Sequence, residues 1–341
     1  MGTSLLQLRS LDLHENGFSG EIPWTFKYCT SLVLINLEGN NFSGSVPEWM
    51  QQNVSVLKLR SNQFTGSIPP ELCSLSNLIV LDLANNNLSG SIPRCLGKLI
   101  SLVSGHMNNG LIFKADDETE MLGFERTYKF KIDLHTKGQD LEYEKILKLV
   151  QSIDLSVNKI SGEIPTQFFK LHKLQSLNLS YNYLVGEIPE QVGEMKDIES
   201  LDFSHNNLHG NIPQSMSGLS FLSVLNLSYN HFRGQIPLGT QLQSFDAWSY
   251  TGNPELCGTP LQNNCTVPEK PDNTKQVEGN DDDPFMRSLY LGMGVGFAVG
   301  FWVICGSLFL NRAWRHTYFR FLYGVVDQIY IFVAIKLLRF R

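Results

Sequence analysis

Asp154 and Asp202 stand at the same place in two copies of one repeated phrase, with Asn178 in the copy between them. If the copies stack as neighbouring strands, two strand spacings put these carboxylates about 9–10 Å apart. That is near the ~6.5–9.5 Å at which an inverting glycosidase holds its acid and its base. Asp12 and Asp82 occupy the same place in earlier copies, so the repeat itself explains the placement. An open sheet face also offers no enclosure to exclude water, and we expect no catalysis. His205 and His209 stand four apart, a metal-pair spacing only on a helix; here they fall on a strand end and a turn. No cysteine spacing suggests zinc, and no cofactor is implied. "GMGVGF" (Gly292 to Phe297) looks like a nucleotide loop, but Phe297 takes the third glycine position and no βαβ unit surrounds it.

What positions such residues is the repeat. Asn16, Asn40, Asn62, Asn86, Asn158, Asn182, Asn206 and Asn230 recur at spacings of 24, 22, 24, 72, 24, 24 and 24 residues, each inside the pattern L-x-x-L-x-L-x-x-N. A fixed period in this range marks a leucine-rich-repeat solenoid. Leu78, Leu81 and Leu83 point inward along a short strand, and coil stacks on coil as a parallel sheet on the concave face. Asn86 turns its amide inward, where it can bond the backbone of neighbouring turns. After each proline apolar residues recur in threes (Phe168, Leu171 and Leu174; Met216, Leu219 and Leu222), which predicts short 3₁₀ or helical segments on the convex face. No coil buries its own apolar side, so its neighbours must. Repeats 1–4 fill residues 1–100, an island 101–148, repeats 5–8 residues 149–237, and a cap 238–265.

The cap stretch Ser244 to Cys265 supplies Phe245, Trp248 and Tyr250 to cover the last coil. Cys257 and Cys265 are expected to pair in an oxidising compartment. Cys73 and Cys95 lie nearly one coil apart, but their phases differ by two residues, so geometry decides whether they bond. Cys29 is expected to be free or buried, and Cys305 to pack. Sequons occur at Asn41, Asn53, Asn87, Asn178, Asn226 and Asn264. Of these, Asn41, Asn87 and Asn264 are easily reached, whereas glycans on Asn178 and Asn226 would project from the sheet face and obstruct binding. Val157, Tyr181, His205 and Tyr229 share one column of consecutive coils and predict an exposed contact stripe beside the asparagines. Tyrosine brings much area with few rotors, as interface anchors require. In the island, "TYKFKI" alternates like a strand; it either folds back toward a ligand or is a tolerated loop.

Leu289 to Leu310 is 22 residues without a charge, enough for a bilayer span of ~20 residues. An acidic linker 266–285 precedes the span 286–310, and a basic tail 311–341 follows it. Basic residues gather on the cytoplasmic side, which puts the repeats outside and the tail inside. From Met286 onward seven Lys or Arg oppose one acid, so a formal +6 there leaves −12 on everything before it, within the total of −6. That excess argues against nucleic-acid binding by the solenoid. Gly292, Gly296 and Gly300 share one helix stripe where a partner span could approach closely. The 31-residue tail is too short for a kinase and carries none of its motifs. Its stretch Phe321 to Leu338 could lie along the inner leaflet.

The "G-x-I-P" variant of the phrase resembles the plant-specific class of leucine-rich repeats. The order of four repeats, island, four repeats, cap, acidic stretch, span and short tail is similar to plant receptor-like proteins. Within these it looks most like the disease-resistance and ethylene-inducing-xylanase receptors; Lys137 to Pro165 resembles how that group leaves its island. The resemblance implies a single-pass plasma-membrane receptor, probing an extracellular protein or peptide in defence. It implies a partner receptor kinase met through the span and a co-receptor kinase docked on repeats 5–8. Developmental reception by the same build and a non-signalling decoy or scaffold remain alternatives. Members of the group begin with a signal peptide, a cysteine-bearing cap and more repeats, so the chain reads as the C-terminal part of a longer receptor or a short product derived from one, with nothing upstream to seal Leu5, Leu8 and Leu11.

Overall fold

A computed structural model describes residues 7–50, 52–105, 132–136, 139–143 and 150–265, with side chains defined except in the 132–143 segments and at Thr240. The chain divides into two compact units, Met1–Val267 and Pro268–Arg341. The second unit lies outside the described residues, and with it the expected span, Cys305, Gly292, Gly296, Gly300 and the tail. Among the described residues no helix is long and apolar enough to cross a membrane.

The first unit is a solenoid whose coils each add one strand to two parallel sheets. In the first sheet eight three-residue strands follow in chain order, from Ser10–Asp12 to Val224–Asn226. Their central residues, such as Leu57, Leu81, Ile153, Leu177 and Leu201, point inward and are buried. The second sheet has nine strands, from Ser19–Gly20 to Glu255–Cys257. It forms where the phrase runs from the ladder asparagine to G-x-I-P, and Phe42, Phe64, Leu88, Ile160, Leu184, Leu208, Phe232 and Leu256 line its inner side. Short 3₁₀ helices follow the prolines, for example Pro70–Ser74, Thr166–Lys170 and Gln214–Gly218. They bury Leu72, Phe168 and Met216, as the three-residue steps require.

The asparagine ladder joins the coils. Asn182 Nδ2 faces the carbonyls of Leu179 and Ser180 in its own coil and of Leu155 in the coil before. Its Oδ1 accepts the N–H of Ile160, also in the coil before, at 3.0 Å. The same set recurs at Asn40, Asn62, Asn86, Asn158, Asn206 and Asn230. It then recurs once more in the cap, where Asn253 takes the N–H of Phe232 and reaches the carbonyl of Leu227. Asn253 was missed in the sequence because no L-x-x-L-x-L precedes it; "TGN" was the only signal.

The island does not interrupt the stack. Val80–Asp82 pairs directly with Ser152–Asp154, Leu81 opposite Ile153, and Asn158 reaches the carbonyl of Leu83 across the gap. Within the island, Ile132–Thr136 and Gln139–Tyr143 form an antiparallel pair; of the expected strand Thr127 to Ile132 only Ile132 is among the described residues. On the other side of the coils the junction closes at Gly97, where a Cβ would stand 2.0 Å from the carbonyl oxygen of Gln167. Glycine is the one residue that lets these two coils approach so closely.

At the far end the cap differs from expectation. Tyr250 is fully buried and its hydroxyl donates to the Leu242 carbonyl at 2.7 Å, and Phe245 packs at the edge of the core. Trp248, expected to cover the last coil, is instead 77% exposed. A single 3₁₀ turn, Ala247–Tyr250, cannot send both aromatics inward. At the near end Leu8, Leu11 and Leu13 are half-buried against the core, and Leu5 is outside the described residues.

The junction gives a paired test. Gly97→Ala should cost ~1–3 kcal/mol by overpacking. Gly218→Ala, whose Cβ would meet nothing nearer than Lys196 Nζ at 3.8 Å, should stay within about 0.5 kcal/mol of the parent. Thermal melts of both variants check the difference; equal melts would show that the junction is not tight.

Candidate interaction face

Val157, Tyr181, His205 and Tyr229 sit one residue before a ladder asparagine, and all four have left-handed backbones, φ 52–53°. The column's first-block members do too: Glu15, Gly39, Ser61 and Asn85. The cause is hydrogen bonding to both neighbours. Tyr181 gives its N–H to the Ser204 carbonyl, while its own carbonyl accepts the N–H of Asn158. Only a left-handed residue turns both groups along the solenoid and throws its side chain outward. For a residue other than glycine this costs roughly 1–2 kcal/mol. Glycine or asparagine would fit more cheaply, so Val157, Tyr181 and Tyr229 are retained against local preference.

Their side chains form a continuous exposed stripe. The Tyr181 and His205 rings stack at 4.0 Å and 13°, and His205 and Tyr229 at 4.3 Å and 17°. Tyr181 and Tyr229 are about half exposed, as is Val157. Tyr183 and Val185, on the adjoining strand Tyr183–Gly186, extend the exposed apolar surface. Beyond Tyr229 the column ends at Gly252, where a Cβ would come within 2.7 Å of the tyrosine ring. The sequence grouped the four residues of the stripe but gave no sign of the stacking, which follows from the shared backbone twist.

Beside Tyr229 the first sheet and the cap enclose a cleft of about 450 Å³. Its lining includes the polar Asn178, Asp202 and Asn226 and the apolar or aromatic Val224, Tyr229 and Trp248. Trp248, turned out of the core, therefore has a place on this face.

The carboxylate column divides in two. Asp82 and Asp154 are buried and share one guanidinium: Arg60 Nε reaches Asp82 at 2.8 Å and Nη2 reaches Asp154. Lys58 pairs with Glu38 alongside. Arg60 thus ties coils 3, 4 and 5 together across the island. Nothing in the sequence pattern predicted it, because the contact spans 94 positions. Burial alone would lower the Arg60 pKa, but Asp82 and Asp154 outweigh it and hold it above its ordinary value. Burial pushes the Asp154 carboxyl above the usual carboxylate range and Asp82 adds to this, against the pull of Arg60 and Ser156. Asp154 is therefore occupied structurally, and the spacing of Asp154 to Asp202 reflects the repeat. His205 lies in the ring stack, while His209 faces Glu187 at 4.0 Å on the second sheet. Among the described residues no group of three ligating side chains could hold a metal.

Cys73 and Cys95 are bonded, with Cα atoms 5.6 Å apart, and so are Cys257 and Cys265, at 5.1 Å. Cys29 is a buried free thiol. Asn41, Asn87 and Asn264 are exposed. Asn53 donates to the Thr30 carbonyl at 3.0 Å. Asn178 and Asn226 are half-buried, accepting from Ser180 and Ser228 through Oδ1 while Nδ2 faces Asp154 and Asp202.

The Leucine Rich Repeat family matches residues 7–29, 31–53, 53–75, 77–99, 149–171, 173–195, 197–219 and 221–241, more than half of the chain. The chain belongs to the leucine-rich-repeat family. Its sequence relatives include two tomato (Solanum lycopersicum) proteins, Receptor-like protein EIX2 and Receptor-like protein EIX1. EIX2 is 50% identical over 305 residues and EIX1 52% identical over 310. Each match covers 87% of this chain and 30% of the relative, so this leucine-rich-repeat chain spans about a third of their length. Among solved structures, the ectodomain of the Arabidopsis receptor kinase HAESA with an extended IDA peptide hormone matches at TM-score 0.55 and 33% identity, over 75% of this chain and 35% of that one. HAESA in complex with IDA and the co-receptor SERK1 matches at 0.53 and 30%, over 76% and 39%.

The shared guanidinium predicts a pH dependence. With its pKa raised on folding, Asp154 supports the fold most below about 3.9, the free carboxylate value, and that support is lost as pH rises through the raised value. Arg60→Met removes the cation, leaves Asp82 and Asp154 facing each other, and should cost ~3–5 kcal/mol at neutral pH. Denaturant melts at pH 7 and pH 4 should show the loss shrinking in acid; an equal loss at both would contradict the charge account.

Proposed function

We propose that this leucine-rich-repeat protein is a cell-surface receptor-like protein in defence. On this reading it recognises an extracellular protein or peptide and signals through partner receptor kinases. The observation that carries the proposal is identity of about half to the EIX receptor-like proteins over 87% of the chain. The likeness to HAESA, crystallised with a peptide hormone and a co-receptor, supports a peptide-class ligand and a kinase partner. On this reading the protein crosses the plasma membrane once through 286–310, repeats outside, and Gly292, Gly296 and Gly300 meet the span of a partner kinase.

Repeats 5–8 dock the co-receptor along Val157, Tyr181, His205 and Tyr229. An exposed ring stack held at a backbone cost supports this placement, since it offers a rigid, nearly rotor-free anchor. Glycans on the exposed Asn41, Asn87 and Asn264 and on the half-buried Asn53 leave the stripe open. Those on Asn178 and Asn226 would have to break the bonds these amides make on the first sheet.

Tyr181→Asn with His205→Asn tests the docking site. Asparagine is the residue of the same column at Asn85, tolerates the left-handed backbone, and creates no sequon here. Co-precipitation of the co-receptor kinase from plant membranes should fall at least about tenfold, equivalent to ~1.4 kcal/mol, with expression and melting temperature maintained. Undiminished co-precipitation would remove the docking site.

A further inference from the structure

We propose that the cleft between the last coils and the cap is a seat for an arginine side chain of an extracellular polypeptide. This rests on the receptor reading and deepens it by naming the chemistry the face recognises.

The protein itself shows how this sheet face holds a guanidinium. In coils 3 to 5 Arg60 projects from the position two residues after the strand's polar residue, Lys58, and lies across Asp82 and Asp154. In coils 5 to 8 that same position is serine throughout: Ser156, Ser180, Ser204 and Ser228. Serine is too short to cross to a neighbouring coil, so among the described residues no side chain from that position does in coils 5 to 8 what Arg60 does in coils 3 to 5. The cleft of about 450 Å³ lies on this same face, beside Ser228 and the cap residues Trp248 and Ser249.

Its lining matches the missing group. Asp202 is the sole carboxylate among the lining residues, and among the described residues it makes no ion pair with Lys, Arg or His. Its Oδ1 accepts the Ser204 N–H at 2.9 Å, and its Oδ2 accepts a long 3.3 Å bond from Asn226. One carboxylate oxygen therefore still has room to accept. Tyr229 and Trp248, both at least half exposed, share the lining with it. A flat guanidinium can donate to a carboxylate and stack on aromatic rings at once, which an ammonium does less well. A cation also suits the formal charge of −12 carried by the chain before Met286. An anionic or purely apolar occupant would leave Asp202 desolvated and unpaired.

The full chain, in lipid nanodiscs, is titrated with Nα-acetyl-arginine methylamide, its neutral isostere Nα-acetyl-citrulline methylamide, and the lysine counterpart, binding being read by saturation-transfer NMR. Because Asp202→Asn alone would create the sequon Asn-Phe-Ser, it is combined with Ser204→Ala and compared with Ser204→Ala by itself. Ser204 Oγ is buried without a partner, so its removal is benign, and asparagine is native to this column at 178 and 226. The arginine probe should bind at least about fivefold more tightly than either of the others, roughly 1 kcal/mol. Asp202→Asn should erase its preference over citrulline, and Trp248→Ala should weaken it, with melting temperatures preserved. Equal binding of arginine and citrulline, equal binding of arginine and lysine, or a preference that survives Asp202→Asn would overturn the assignment. A protein that recruits its co-receptor but shows no guanidinium preference loses this inference alone.

Discussion

Every coil here leaves backbone groups that no strand or helix satisfies, and a buried unpaired amide costs about 1–3 kcal/mol. The ladder asparagine answers that constraint. One side chain serves carbonyls of its own coil and of the preceding coil, and accepts a preceding N–H. An acid lacks the donors and a hydroxyl lacks the reach, so the position admits little else. Coil length follows from it. The 22-residue step from Asn40 to Asn62 keeps the amide in register while shortening the outer side, where no 3₁₀ helix is found among the described residues of that coil.

The same constraint shapes the exposed face. To pass both backbone groups of the residue before each asparagine to neighbouring coils, the chain turns left-handed there and presents that side chain to solvent. Where the residue is Tyr181, His205 or Tyr229, identical backbones repeated coil by coil bring the rings into stacking distance. The exposed stripe is thus a by-product of the internal bonding. At Asp82, Asp154 and Asp202, four residues before a ladder asparagine, Oδ1 fixes the local turn, while Oδ2 meets Arg60 at the first two and Asn226 at the third.

Much of this was legible in the chain because the repeat is periodic. The asparagine register gave the solenoid, the proline-led triplets gave the 3₁₀ helices, and the shared column gave the stripe. What was hidden lies where period is a poor guide. Arg60 meets Asp154 only because coils 4 and 5 pair directly, whatever lies between them in sequence. Gly97 matters for the same reason. Trp248 looked like a core residue by type, but the single turn of the cap could bury only Tyr250. Asn253 continues the ladder without its leucine frame.

Hydrogen exchange on Asn182→Ala tests the ladder most directly. Removing this amide orphans groups in two coils, so the Ile160 N–H should lose its protection and the solenoid should lose about 3 kcal/mol or more. An Ile160 amide as protected as in the parent, with stability within about 1 kcal/mol, would contradict the view that these side chains bind the coils together.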